Sequence, residues 1–370
     1  MPANLTTENK LLRVGLLGTG VIAGGHAAAL RSMPGVELVA VCDRDMRKAA
    51  QFQSQWKTER VFEDLDAMLS SCSLDVVHVL LPPSAHAEMA LQCIRAKCHT
   101  FVEKPFCLSV VECQRVSEAA QNNGVTIGVN HNLTYMPGIL KLIKAIEEYR
   151  LGAVEHVTMV YNLPMPALTA GQHGHWMFGD TGRLILELGP HPMSVIYRLL
   201  GGVQQASTLV SGKRILTNGK TFFDNWQSSL VCDRGTAQFF LSVGNDYLNT
   251  SVHVIGQDGE CLVDLRRNTV TLSEKTKYLR FVNLEDAFKR SSSVMKDSVR
   301  NLSHYMRGAL GFGPAYDLQA ESMTASIHAF YEALLRGQRA PVGAPEATAV
   351  VHGCELISQS VSETASVGGR

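Results

Sequence analysis

Three short stretches hold residue types whose spacing implies chemistry. The first runs Gly18, Thr19, Gly20, Val21, Ile22, Ala23, a Gly-x-Gly-x-x-Ala pattern between an apolar run and a helical one. Gly18 permits a tight turn, Gly20 lets a pyrophosphate approach the backbone, and Ala23 allows close helix–strand packing. The helix N-terminus, at Val21 and Ile22, offers N–H donors and a favourable dipole to the anion. Glycines punctuate many turns, so context carries this reading. The second apolar run ends at Asp43, 23 residues beyond Gly20. A carboxylate there accepts hydrogen bonds from adenosine ribose hydroxyls. Its charge repels a 2′-phosphate and favours NAD; Arg44 beside it offsets that repulsion and keeps NADP open.

The other two stretches are Leu81, Pro82, Pro83, Ser84 with His86, and Val102, Glu103, Lys104, Pro105. Each follows a strand-like run. In a doubly wound sheet both lie at the carboxyl edge, where ligands bind. Leu81, Pro82, His86, Glu103 and Lys104 are therefore candidate cofactor contacts.

The elements that must position these residues follow from the apolar pattern. Short β-branched runs at 13–17, 37–42, 76–80, 100–102 and 126–129 alternate with helical stretches such as 23–31 and 84–96. That alternation predicts a parallel sheet with right-handed crossovers, an α/β Rossmann domain over 1–130. After Tyr135 the texture changes. Helical segments at 138–149 and 183–200 flank a strand at 154–161. Strand-like runs then follow one another at 205–211, 225–231, 236–243, 250–256 and 260–265. Consecutive strands without helices predict a large, open, mostly antiparallel sheet in an α+β domain over 131–370. Helices at 317–335 and around 345–360 close the chain and are candidates to pack back on the first domain.

Composition narrows the function class. The chain has 370 residues, 34 Lys plus Arg against 34 Asp plus Glu, 45% hydrophobic and 18% charged. Zero formal charge argues against nucleic-acid binding, and the balance is that of a globular protein. No window approaches ~18 uninterrupted apolar residues, so stable membrane insertion is not expected. Met1 to Lys10 are polar and lack the apolar core of a signal peptide. Nine cysteines without a Cys-x-x-Cys pair are expected to be reduced, buried hydrophobes of a cytoplasmic protein.

The Gly-x-Gly-x-x-Ala turn, the Pro-Pro-x-x-His stretch ending at His86, and Glu103-Lys104-Pro105 stand in an order and spacing that resembles the glucose–fructose oxidoreductase / inositol dehydrogenase / MocA family. The resemblance runs from about Leu11 to about Gln359. It implies that Lys104 lies near the nicotinamide and hydrogen-bonds the substrate oxygen, stabilising the alkoxide that develops as hydride leaves. Glu103 would hold that lysine and Pro105 would shape the turn. The family's second signature, Asp-x-Gly-x-His-x-x-Asp, matches Glu187 to Ser194: the histidine is kept as His191, the first acid is Glu187 and the last is Ser194. Glu187 and His191 are four apart, which a helical turn places on one face. A carboxylate at the imidazole would fix its tautomer and raise its basicity for a general base. Loss of the last acid removes a contact that many relatives would have.

Upstream, His173, His175 and Trp176 occupy the stretch where relatives place substrate-contacting loop residues. They read as a polar, aromatic sugar platform; a metal site completed by Glu187 or His191, or an ordinary loop, are the alternatives. No metal is expected. Asn130 and Tyr135 lie where relatives cross between domains and are weaker candidates. Residues 275–310 carry eight basic residues against three acidic ones, with apolar positions recurring every three or four from 287 to 310. This insertion reads as a helix against the sheet or a subunit neighbour, as a surface for an anionic substrate, or as an interfacial membrane helix.

Together these features predict an NAD(P)-dependent oxidoreductase acting on a secondary hydroxyl or carbonyl of a sugar, cyclitol or nucleotide-linked sugar. His191 would move the proton, Glu187 orient it and Lys104 stabilise the oxygen. Alternatives are glycoside cleavage or epimerisation with no net redox change, and a non-catalytic NAD-binding regulator. A homo-oligomer through the C-terminal sheet is implied by the resemblance alone.

Overall fold

The computed structural model describes residues 11–275, 282–312 and 316–363. The polar stretch at 1–10, and Lys277 and Arg280 of the basic segment, lie outside the described residues. The chain divides into two units, one drawn from 11–132 with 323–348, the other from 133–322 with 349–363.

The first unit holds β1 (Leu12–Leu17), α1 (Ala23–Arg31), β2 (Val36–Cys42), α2 (Met46–Trp56), β3 (Arg60–Phe62), α3 (Leu65–Ser71), β4 (Val76–Val79), α4 (His86–Arg95), β5 (His99–Val102), α5 (Val110–Asn123) and β6 (Ile127–Val129). The strands form one parallel sheet in the order β3-β2-β1-β4-β5-β6. Helices on the connections cover both faces, which is why β4 is buried along its whole length. Strand order reverses between β1 and β4, so the carboxyl ends of these strands flank the crevice where such sheets bind ligands. Local caps set the helix starts: Asp45 accepts from the Arg47 amide, Asp64 from the Ala67 amide and Ser109 from the Glu112 amide. Late in the chain comes α11 (Leu318–Leu335), whose Met323, Ile327, Phe330 and Tyr331 join Val14, Leu16 and Phe101 in one buried cluster. Gly128 on β6 makes room for it, since a Cβ there would meet the Phe330 ring at 2.4 Å.

The second unit is an eight-stranded sheet with helices on one face. Its elements are α6 (Pro137–Glu147), β7 (Val154–Asn162), α7 (Pro166–Thr169), α8 (Arg183–Leu188), α9 (Pro190–Leu200), β8 (Val203–Ile215), β9 (Thr221–Cys232), β10 (Gly235–Ser242), β11 (Asn249–Gly256), β12 (Gly259–Asp264), β13 (Thr269–Glu274), α10 (Val282–Ala309), and, after α11, α12 (Ala344–Gln359) and β14 (Val361–Glu363). Strand order is β13-β12-β11-β7-β10-β9-β8-β14, antiparallel except that β7 pairs with β10 and β14 with β8 in parallel. Alternation along β9 buries Phe222, Trp226 and Leu230, which pack with Ile139, Leu142, Val195, Ile196 and Cys354. Leu209, Val231, Ile255 and Leu262 face outward on the other side.

Three differences from the sequence pattern have local causes. The helix expected over 183–200 is two, because Pro190 has no N–H to donate to the preceding turn. Gly189 still has helical backbone angles, φ −62° and ψ −31°, so the four-residue phase between Glu187 and His191 survives the break. The short strands β3 and β14, three residues each, lack enough alternation to register as strands, and β13 is a sheet edge masked by the basic segment that follows. All nine cysteines are buried and free.

Phe330 is 2% exposed and fills the space beside Gly128 and Phe101. Phe330→Ala is expected to cost about 3–5 kcal/mol in urea unfolding, since the rigid sheet cannot collapse onto the cavity.

Candidate active site

The turn after β1 has the shape a dinucleotide requires. Gly18 adopts φ +105° and its added Cβ would lie 2.7 Å from the Leu80 carbonyl, so no other residue fits. Beside Gly20 the space is open, with nothing within 4 Å of an added Cβ. Val21 is fully exposed and Ile22 is 39% exposed, an apolar pair left uncovered at the helix N-terminus. A cavity of about 310 Å³ opens next to the turn, lined by Thr19, Gly20, Val21, Lys48 and Trp56 among others. Asp43 ends β2 and is tied to the turn: its Oδ2 accepts from the Thr19 amide at 2.9 Å and hydroxyl at 2.6 Å, and its Oδ1 from the Asp45 amide. Burial pushes this carboxyl up, but the Thr19 and Asp45 hydrogen bonds and the Lys48 charge outweigh it and hold it below the ordinary value. Of about four lone-pair directions on a carboxylate, three are used, leaving room for a hydroxyl donor. Arg44 is exposed beside it. The residues present thus fit a dinucleotide.

On the neighbouring loops, His86 is buried, its Nδ1 2.8 Å from the Pro105 carbonyl and its Nε2 2.8 Å from the Leu81 carbonyl. It clasps the Leu81–Pro82 loop to the Glu103–Lys104–Pro105 loop, so its ring nitrogens are occupied in positioning them. Lys104 is half-buried, and the Lys104–Pro105 peptide is cis.

Glu103 is the hub of a buried network absent from the sequence reading. Its Oε1 accepts from Asn130 Nδ2 at 2.6 Å and lies 2.7 Å from His26 Nε2, and its Oε2 accepts from the Lys104 amide. His26 Nδ1 is 2.8 Å from His78 Nδ1, and His78 Nε2 is 2.8 Å from the Tyr331 hydroxyl. An ionised carboxylate only accepts, so His26 Nε2 donates to it. With one N–H on each imidazole, His78 Nδ1 must then donate to His26, and Tyr331 must donate to His78 Nε2. Every donor in the chain points toward Glu103. Burial drives His78 well below the ordinary imidazole range, with His26 adding to the effect. Burial likewise pushes His131 down to about 4; Lys104 adds to the shift and Glu103 opposes it. These histidines carry no motif: His26 and His78 sit in apolar surroundings on α1 and β4, and only the fold brings them together.

In the second unit the structure gathers Trp176, Glu187, Tyr161 and His191. The Trp176 indole donates to Glu187 Oε2 at 2.7 Å, and the Tyr161 and His191 rings lie 6.2 Å apart. Burial, reinforced by the Glu187 charge, pushes the Tyr161 hydroxyl up. His173 points elsewhere, with Nδ1 2.8 Å from the Thr217 hydroxyl and its ring against Phe178. His175 is exposed, its Nδ1 accepting from the Met177 amide. Tyr135 is half-buried. Ser194, standing where the family signature has an acid, donates to the His191 carbonyl at 2.7 Å and is spent on its own helix. Among the described residues no group of three or more His, Cys, Asp or Glu is placed to hold a metal ion.

A parallel sheet with this strand order and a Gly-rich turn at its switch point define the class, a nucleotide-binding α/β protein of the Rossmann type. The chain matches the model of the oxidoreductase family with an NAD-binding Rossmann fold over residues 12–131. It is similar to D-apiose dehydrogenase of Paraburkholderia graminis, 23% identical over 63% of each chain. It is also similar to inositol 2-dehydrogenase of Salmonella typhimurium, 29% identical over 51% of this chain and 54% of the relative. These matches therefore span between about half and two thirds of the relatives' lengths. The fold is that of the WlbA dehydrogenase of Bordetella pertussis, solved with NADH and UDP-GlcNAcA: TM-score 0.74, 18% identity, 95% of each chain covered.

Glu103 sits at about 2: burial raises it, but the hydrogen bonds from His26 and Asn130 and the nearby Lys104 charge lower it further. A depressed carboxylate adds stability that is complete above the ordinary value of 4.5 and is lost as pH falls toward 2. Urea midpoints of the wild type are therefore expected to fall across that window, by about 3 kcal/mol in all, and Glu103→Gln to flatten this acid limb while lowering stability at neutral pH. Tyr331→Phe, which orphans the His78 acceptor, is expected to cost about 1–3 kcal/mol.

Proposed function

We propose that this protein is an NAD-dependent oxidoreductase that transfers a hydride between the nicotinamide and a secondary hydroxyl or carbonyl of a sugar, cyclitol or nucleotide-linked sugar. The observation that carries the reading is Lys104, whose backbone amide donates to Glu103, on the carboxyl edge of the sheet whose switch point bears the Gly18–Gly20 turn. Relatives named for apiose and inositol, and a neighbour solved with a UDP-sugar, support the substrate class. Asp43, with its charge close to the turn, favours NAD over NADP.

Bound NAD would supply the hydride acceptor at nicotinamide C4. Gly18, Gly20, Val21, Ile22 and Asp43 would hold its pyrophosphate and ribose, with Arg44, Leu81 and Pro82 alongside. Lys104 keeps its ammonium toward the substrate oxygen and stabilises negative charge there as the C–H bond is broken. His191, whose Nδ1 is buried, takes the hydroxyl proton at Nε2. Glu187, already carrying the Trp176 indole, orients the imidazole, and its attraction for Trp176 keeps an aromatic face in place for a sugar ring. Asn130, Tyr135, His173 and His175 are the remaining proposed substrate contacts. Nine buried free thiols fit a reducing, cytoplasmic setting, and the outward face of the C-terminal sheet is the proposed contact between copies.

A screen of free sugars, inositols, sugar acids and nucleotide sugars, read by NADH absorbance, tests the activity. Lys104→Ala and His191→Ala are each expected to lower kcat by about 10²–10⁴-fold while NADH binding persists. Asp43→Ala is expected to weaken NADH binding about tenfold or more, with less loss for NADPH. Absence of any NAD(H) or NADP(H) binding, or turnover indifferent to Lys104→Ala and His191→Ala, would overturn the reading.

A further inference from the structure

Helix α10 is amphipathic the wrong way round for a surface helix. Its polar side packs on the sheet. Arg290 bonds Glu260 and Asp286, Ser293 donates to the Val270 carbonyl at 2.7 Å, Asp297 accepts from Lys141 and the Val270 amide, and Asn301 donates to the Arg267 carbonyl. Positions 290, 293, 297 and 301 recur every three or four residues and so form one stripe. Leu284, Phe288, Met295, Val299, Leu302 and Met306 form another, about half a turn away at ~100° per residue. All six are exposed, Leu284 by 73%, Phe288 by 75% and Leu302 by 61%. This second stripe runs for about 33 Å along the helix, and Leu310 and Phe312 extend it. Monomeric surfaces rarely leave such a contiguous apolar strip bare.

Charge indicates what covers it. Lys289, Lys296 and Arg307 line one flank of the apolar stripe, and all three are exposed. The same flank borders a recess of about 500 Å³ whose walls include Lys141, Lys144, Lys289 and Lys296 as well as Glu148 and Asp297. The acids of α10 are already paired, Glu285 with Lys289, Asp286 with Arg290 and Asp297 with Lys141. An antiparallel copy of the helix would therefore set the basic flank against itself. A parallel copy would set it against Val294, Ser298 and Tyr305, where there is no acid. A planar anionic surface complements the apolar stripe and the basic flank together.

We propose that α10 is an interfacial helix that seats this protein on an anionic lipid surface, with the apolar stripe at the acyl boundary and Lys289, Lys296 and Arg307 among the headgroups. The association is peripheral, because no described helix is long and apolar enough to cross a membrane. The proposal is independent of the oxidoreductase reading.

The test is co-sedimentation of the full chain with vesicles of phosphatidylcholine alone and of equimolar phosphatidylcholine and phosphatidylglycerol, alongside the oligomeric state by light scattering. The wild type is expected to sediment with the anionic vesicles, weakening as salt rises, and not with phosphatidylcholine alone. Phe288→Glu with Leu302→Glu is expected to lose binding by about tenfold or more, and Lys296→Glu with Arg307→Glu by at least about fivefold per charge removed, each with NADH binding and circular dichroism unchanged. Failure to sediment with either vesicle overturns the proposal. So does equal binding to both, or an oligomer that Phe288→Glu with Leu302→Glu dissociates while vesicle binding is absent, which would make the stripe a subunit interface.

Discussion

A buried carboxylate must be met by donors, and the first unit is arranged around meeting one. Glu103 ends the turn after β5, yet its oxygens are satisfied by His26 from α1, Asn130 from beyond β6 and the amide of Lys104. His78 on β4 and Tyr331 on α11 then satisfy His26 in turn. Leaving any of these partners out would strand a polar group away from water, at a cost comparable to a large share of a domain's stability. The network therefore couples the register of three parallel strands and two helices to the orientation of one lysine. It also explains why residues 323–335, late in the chain, belong to the first unit: without them the histidine pair has no terminal donor.

The second unit solves a different problem, presenting polar groups from an apolar sheet. Pro190 breaks the helix, Gly189 keeps the phase, and a Cβ at Gly189 would meet the Ile185 carbonyl at 2.4 Å. The break leaves Glu187 and His191 on successive turns of separate helices, with Trp176 brought to Glu187 from a loop. Replacement of the last acid of the signature by Ser194 changes what the helix does there. The hydroxyl closes onto its own backbone, so this position no longer projects a charge. The polar surface around His191 is correspondingly less acidic than the family pattern implies.

Zero net charge conceals a separation. Residues 275–310 hold eight basic and three acidic residues, and the remainder holds 26 basic against 31 acidic. In the fold, Asp286, Asp297 and Glu260 on β12 neutralise the inward face of α10, while Lys296, Arg307 and Lys289, the last paired with Glu285, stay on the outward flank beside the apolar stripe. The same residues that balance the chain's charge thereby set a basic flank beside an exposed apolar stripe.

Much of the fold was legible because it rests on local periodicity. Apolar runs of three to six residues separated by helical stretches gave β1, β2, β4, β5 and β6 to within a residue or two, and α1 without error. Alternation gave the strands of the second sheet, though not the length of β8 and β9 or its edge strands β13 and β14, and the first sheet's edge strand β3 was likewise missed. Gly18, Gly20, Asp43, Glu103, Lys104 and His191 were readable because each is required by a motif whose neighbours lie nearby in sequence. By itself, then, the sequence determined the layers, a family resemblance and the candidate chemistry. Only the tertiary structure decided that His86 clasps two loops, that His26, His78 and Tyr331 support Glu103, that His173 turns to Thr217 while Trp176 turns to Glu187, and that α10 faces its apolar side outward. The physical reason is one of range. Periodicity and turn chemistry act over a few residues, whereas a hydrogen bond such as that from Tyr331 to His78 joins groups 253 residues apart and exists only once the core has closed around it.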